Sequence, residues 1–183
     1  MEFEITKKAK RNTLLIAGGG LLLTLIGIFT GLDDHHFWTR FMASGLINAF
    51  YFFALGLGAL FFLALAYATE TGWYASIKRV IEAVAGFLPY GIGLFGIVLL
   101  VITMMDGAHV YSWMDPEVVA HDEMIQGKSA YLNKPFFWIR TIVYFAVYLI
   151  FLNGFRKRSL EEDKIGGTEL HFKNYRRGAL FLV

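Results

Sequence analysis

Four long stretches without charge alternate with short polar segments along the chain. They cover residues 13–32, 41–68, 90–105 after Pro89, and 135–153, the last interrupted only by Arg140. At a rise of about 1.5 Å per residue, an apolar helix of some 20 residues crosses the roughly 30 Å hydrocarbon core of a bilayer. The pattern predicts an all-α, polytopic membrane helix bundle with four transmembrane helices.

A shorter amphipathic segment lies between the second and third spans. Apolar residues recur there at helical spacing, at Trp73, Ile77, Val80, Ile81, Val84 and Leu88, while Ser76, Lys78, Arg79 and Glu82 fall elsewhere on the helical wheel. Such a helix suits the headgroup layer of a membrane. We therefore expect one interfacial amphipathic helix, with anchoring as its simplest role.

The remaining segments complete the predicted organisation. Residues 1–12 form a cytoplasmic N-terminal segment, residues 13–153 the membrane domain with an outer loop at 106–134, and residues 154–183 a cytoplasmic tail. The tail ends in two arginines followed by apolar residues, a pattern typical of the start of a fifth span. We expect the chain to be the first part of a larger bundle.

The distribution of basic residues predicts the orientation. Thirteen Lys and Arg residues fall in the N-terminal segment, the 69–79 segment and the tail, against three in the other loops. Cytoplasmic loops carry the excess of basic residues. The N-terminus and tail are therefore expected to face the cytoplasm.

Composition narrows the chemistry. The hydrophobic fraction is 56% and the net charge only +2, without a basic stripe, and this composition argues against nucleic-acid binding. There is no cysteine to ligate an iron–sulfur cluster or zinc, and all five histidines fall outside the predicted spans. We expect this chain to bind no haem, iron–sulfur cluster or metal, and to be non-catalytic alone.

The GxGxxG pattern from Gly91 to Gly96 lies inside an apolar span, so it favours close helix packing over dinucleotide binding.

Protonatable and aromatic residues concentrate in the outer loop. The candidates for a quinone site or proton path there are Asp106, His109, Tyr111, Trp113, His121 and Asp122. Oxidation of a hydroquinone needs proton acceptors near its hydroxyl groups and an apolar wall for its ring. The alternative is a solvated loop with Tyr111 and Trp113 at the membrane interface.

Arg140 is a further candidate because an ionisable residue inside a span is costly and functional by default. It could pair with an acid on a neighbouring helix, extend to the interface, or polarise a quinone carbonyl. The sequence leaves these three roles open.

Two stretches carry a family resemblance. Residues 127–145 read GKSAYLNKPFFWIRTIVYF, and residues 109–116 before them read HVYSWMDP. They resemble the NrfD-type membrane subunits of bacterial alternative complex III, and most narrowly its ActF-type subunits, with a likeness that extends to the LHFKNYRRG run at 170–178.

The resemblance implies a respiratory quinol:cytochrome c oxidoreductase in the inner (cytoplasmic) membrane of a bacterium. Its cofactor would be a quinol such as menaquinol, and this subunit would contribute quinol binding, proton conduction or both. Its partners would be multihaem cytochromes, an iron–sulfur subunit, a second NrfD-like subunit and membrane lipid. The alternative is a membrane transporter or a purely structural scaffold without a redox role.

Overall fold

The computed structural model describes residues 6–31, 36–105 and 110–183. These residues form eight α-helices and two short 3₁₀ segments, with no β-strand among them, and the all-α prediction is confirmed. The helices are α1 (Lys7–Gly31), α2 (Phe37–Ala68), α3 (Lys78–Ala85), α4 (Leu88–Met104), α5 (Pro116–His121), α6 (Glu123–Gly127), α7 (Lys134–Ile165) and α8 (Glu169–Leu182). The 3₁₀ segments are Gly72–Ser76 and Ser112–Met114.

Four helical stretches in this part of the chain are long and apolar enough to cross a membrane. They are Lys7–Gly31, Phe37–Ala68, Lys78–Met104 and Lys134–Ile165, and their mean hydropathies lie between 1.8 and 2.2. The protein is therefore a multi-pass membrane protein with a helical bundle, as the apolar runs predict.

The chain divides into two compact units, Met1–Phe41 and Met42–Val183. In the first unit, α1 has no buried residue, and Gly31 at its end lies against the ring of Phe37. The Phe37 ring also stacks on Phe41 with 5.6 Å between ring centroids. An aromatic cluster thus forms where α2 begins.

In the second unit, α2, α4, α7 and α8 enclose the core. Its most enclosed large side chains are Tyr67, Phe155, Leu60, Leu63 and Leu88. Small residues bring the helices together, because a Cβ at Gly91 would lie 2.9 Å from Phe53 Cα, and a Cβ at Gly178 would lie 2.6 Å from the carbonyl oxygen of Ala64. Close approach at glycine is a common means of packing membrane helices.

The last two helices differ from the predicted tail. The apolar run ends at residue 153, yet α7 continues as one helix to Ile165. Gly166 and Gly167 then adopt φ values of 71° and 83°, which glycine tolerates without a Cβ penalty. The chain reverses there, and α8 packs back along α7, with the rings of Phe151 and Phe181 5.1 Å apart.

The predicted amphipathic segment from Trp73 to Leu88 is divided between the first 3₁₀ segment, α3 and the start of α4. Glu82 is buried, whereas Val80 and Val84 are exposed. Exposed valines beside a buried carboxylate suit a helix whose surroundings are lipid rather than water. The interfacial position of α3 stays a prediction.

Candidate functional site

Two ends of the Met42–Val183 unit carry its polar chemistry. We call the end formed by residues 110–133 and the start of α7 the loop end. We call the end formed by the last turn of α2, the Gly72–Ser76 segment, α3, the last turns of α7 and the start of α8 the charged end. Since α7 begins at Lys134 and ends at Ile165, these ends lie at opposite ends of one helix.

Side-chain caps order the loop end. Asp115 Oδ1 accepts a hydrogen bond from the Glu117 amide at 3.0 Å and begins α5. Asn133 Oδ1 accepts from the Phe136 amide at 2.9 Å and begins α7, with Pro135 in the first turn. Both are the residue types favoured at helix N-caps. The caps fix the loop backbone at the point where α7 starts.

An aromatic groove runs from the loop end along α7. Its volume is about 200 Å³. Its wall is formed by Phe53, Phe95, Leu99, Tyr111, Phe137, Thr141, Tyr144, Phe145 and Tyr148, from α2, α4, α7 and the loop. Phe53 and Phe95 stack with centroids 5.2 Å apart and the two ring planes within 13° of parallel. The groove thus offers flat apolar walls with four hydroxyl groups along them.

A second, smaller cavity adjoins the groove at Tyr111. It has a volume of about 30 Å³, and its lining includes Thr103, Asp115 and Lys134 as well as Tyr111. That volume is enough for a water molecule with polar partners. Tyr111 is therefore the wall between an aromatic groove and a polar cavity that contains a carboxylate.

Tyr111 is itself half-enclosed by aromatic rings. Its ring centroid lies 5.9 Å from that of Trp113 and 6.1 Å from that of Phe137. Burial raises the pKa of the Tyr111 phenol above its usual value, because the phenolate is poorly solvated there. At neutral pH its hydroxyl group is protonated and can act as a hydrogen-bond donor.

The predicted site residues separate into groups. Tyr111 lines the groove, and Trp113 lies at its rim, 5.6 Å from Phe137. His121 and Asp122 lie away from it in a surface depression with Glu117. His121 Nδ1 is 2.8 Å from the Glu117 carbonyl oxygen, and Asp122 Oδ1 caps α6 by accepting from the Met124 amide. Asp106 and His109 lie outside the described residues.

Arg140 lies among aromatic rings. Its guanidinium carbon is 3.6 Å from the centroid of Tyr131 and 4.7 Å from that of Phe136. It forms no salt bridge with an acid of the described residues, so the expected acid partner is not found among them. Arg140 does not line the groove, and its contacts are those of a cation–π pair at the loop end.

Sequence reasoning missed most of the groove's polar lining. Thr141, Tyr144 and Tyr148 lie in an apolar span and were not singled out. Their spacing of three and four residues, shared with Phe137 and Phe145, places them on one helical face. An aromatic and hydroxyl-bearing stripe inside an otherwise aliphatic span was the available signal.

The charged end contains an ion-pair network between α3 and α7. Lys78 Nζ lies 2.8 Å from Glu162 Oε2, and Arg79 pairs with both Glu82 and Asp163. Arg79 Nη1 also donates to Ser159 Oγ at 3.2 Å. The network fastens the polar side of α3 to the extension of α7.

Comparison with known proteins gives no further assignment. No protein-family model and no curated protein matches the chain.

Proposed function

We propose that this protein is a membrane subunit of a respiratory quinol-oxidising complex and that the aromatic groove holds the ring of a quinol. The observation that carries the proposal is the groove itself, with aromatic walls from three helices and the protonated hydroxyl group of Tyr111 at one end. Flat apolar walls with a few convergent polar groups are typical of small-molecule sites.

The size of the groove favours a ring with an attached tail. At about 200 Å³ it is smaller than the roughly 300–1,000 Å³ of sites that enclose a whole drug-sized ligand. A quinol ring would lie against the aromatic wall of the groove, and its isoprenoid tail would continue over the apolar helix surface. The ring hydroxyl groups would then lie near Tyr111.

The small cavity beside Tyr111 offers an exit for the protons that quinol oxidation would release. Oxidation of a quinol to a quinone releases two electrons and two protons. By the resemblance to alternative complex III, the electrons would pass to redox centres on partner subunits. The protons would leave at Tyr111 towards the cavity of Asp115 and Lys134. A hydroxyl group that adjoins a carboxylate through a water-sized space is suited to proton relay.

Proton conduction is a second role that the charged end favours. Glu82 is buried, and its Oε1 has no hydrogen-bond partner. The hydroxyl groups of Tyr67 and Tyr74 are likewise buried. Burial raises the pKa of the Tyr74 phenol, which stays protonated and able to donate. Such groups could exchange protons through water at this end of the bundle.

The quinol site is tested by Tyr111→Phe in the assembled complex. Loss of one hydrogen bond to the ring should weaken quinol binding by about 0.5–1.5 kcal/mol, roughly two- to twelvefold. The measurement is quinol-dependent cytochrome c reduction in liposomes, with proton release recorded in parallel. Tyr90→Phe is the matched control, because Tyr90 is exposed on α4 outside the groove. Equal KM values in the two variants would contradict the proposed site.

A further inference from the structure

The packing of α8 along α7 brings two arginines to one place. A Cβ at Gly154 would lie 3.0 Å from Arg158 Nη2 and 3.0 Å from Arg177 Nη1, so these two nitrogens lie within about 6 Å of each other. Neither guanidinium forms a salt bridge with a carboxylate of the described residues. Two like charges at this separation repel each other unless an anion lies between them.

Asn174 on α8 completes this double-arginine site, which consists of Arg158, Arg177 and Asn174. Asn174 is fully buried, and its Oδ1 accepts a hydrogen bond from Arg158 Nε at 2.5 Å. Its Nδ2 and the Nη2 of Arg158 are buried donors without an acceptor. Buried donors are normally satisfied, so the site lacks a hydrogen-bond acceptor.

An apolar groove begins beside the double-arginine site. It has a volume of about 330 Å³ and lies between α2, α7 and α8, with Val147, Phe151, Leu180 and Phe181 in its lining. Residues 147, 151, 154 and 158 share one face of α7 by their spacing. A molecule with an anionic head at the arginines could therefore place an apolar chain along the same face.

We propose that the double-arginine site binds the phosphate of an anionic phospholipid and that one acyl chain lies in the adjoining apolar groove between α2, α7 and α8. A phosphate offers several acceptor oxygens, which matches two guanidinium groups and an amide donor. Basic pockets between membrane helices are known to bind anionic headgroups. Arg177 is exposed and open to an entering headgroup, while Arg158 and Asn174 form the inner wall. The site does not depend on the proposed quinol binding.

The test uses the full chain in detergent, titrated with phosphatidylglycerol and observed by native mass spectrometry. Phosphatidylglycerol should bind the unmodified chain, and Arg177→Gln should weaken that binding roughly fivefold or more. Arg176→Gln is the matched control, since it removes the same charge one residue away and should leave binding unchanged. Arg177→Lys keeps the charge but loses the forked donor, and we expect an intermediate affinity. If Arg177→Gln does not fold, Arg177→Lys replaces it as the test variant.

Two further ligands, phosphatidylcholine and inorganic phosphate, test whether the site binds an anionic lipid headgroup or a free phosphate ion. Phosphatidylcholine should bind several-fold more weakly than phosphatidylglycerol, because its net charge is zero. Phosphatidylglycerol binding that is equal in the unmodified chain and both Arg177 variants would overturn the proposal. If inorganic phosphate bound as tightly as phosphatidylglycerol, the site would recognise a free anion, and the lipid assignment would be wrong.

Discussion

At the residue scale, the carboxylates of Glu82, Glu162 and Asp163 all form ion pairs at the charged end but differ in how deeply they are buried. Glu82 is the most buried of the three. Its side chain is 6% exposed, against 19% for Glu162 and 57% for Asp163. An exposed ion pair contributes little to stability, whereas an enclosed charge that loses its partner is costly. The three acids of this network are therefore not equivalent.

We expect Glu82→Gln to lower the free energy of unfolding by about 1–3 kcal/mol, because a neutral amide leaves the enclosed side of Arg79 without its charged acceptor. Asp163→Asn, at the exposed end of the same guanidinium, should cost at most about 1 kcal/mol. Denaturant unfolding of the full chain in micelles gives both values. If Glu82 also carries protons, Glu82→Gln should reduce proton movement in liposomes. Equal destabilisation by both variants would show that burial does not distinguish them.

Arg140 shows what one sequence can and cannot reveal about a residue. Its depth in an apolar run marks it as unusual, and the three roles considered for it all assume a polar partner. The rings of Tyr131 and Phe136 are the contacts found among the described residues. A cation–π partner is difficult to predict from sequence. A Phe or Tyr in a membrane protein is equally consistent with a packed side chain between helices and with an anchor at the membrane interface.

At the element scale, glycines determine how closely the helices approach. A Cβ at Gly178 would meet backbone atoms of α2, with the Ala64 carbonyl oxygen at 2.6 Å, whereas a Cβ at Gly93 would meet nothing within 4 Å. Both glycines lie within helices. They form a matched pair for separating packing from helix propensity.

Gly178→Ala should destabilise the chain by about 1–3 kcal/mol, because α8 must move away from α2 to admit the methyl group. Gly93→Ala should be neutral or stabilising by up to about 1 kcal/mol, since alanine is the better helix former. Thermal unfolding in micelles measures both, and limited proteolysis reports the release of α8. A Gly178→Ala variant as stable as the Gly93→Ala variant would contradict the packing of α8 on α2.

The elements differ in how well their pattern predicts them. Apolar runs predicted the four long helices, since a span must satisfy its backbone internally and must be apolar. They did not predict that α7 continues to Ile165, because hydropathy reports burial in lipid and not helicity. The charged residues at 156–164 lie on this extension. Their ion pairs with α3 depend on the tertiary structure, so the hydropathy pattern does not reveal them. The aromatic groove was missed for a related reason, because it forms only when α2, α4 and α7 meet.

At the scale of the whole molecule, the structure places two basic segments together. Lys78 and Arg79, which follow α2, pair with residues near the end of α7, so both segments lie at the charged end. The count of basic residues predicts the same arrangement and assigns this end to the cytoplasm. That absolute orientation stays a prediction.

Single cysteines test the orientation cleanly, because the chain has none of its own. Ser129→Cys at the loop end should react with an impermeant thiol reagent in intact spheroplasts. Ser76→Cys at the charged end should react only after lysis. Both positions are exposed. The opposite labelling pattern would invert the topology.

The most direct measurement of the central claim is photolabelling of the proposed quinol-oxidising complex with an azido-quinone, followed by peptide mapping of this chain. If the aromatic groove holds the quinol ring, the label should fall near Tyr111 and on the 137–148 face of α7, and excess quinol should prevent it. Tyr111→Phe should reduce the yield, while Tyr90→Phe should not. Label found only elsewhere in the complex, with these segments unmodified, would contradict quinol binding in this groove.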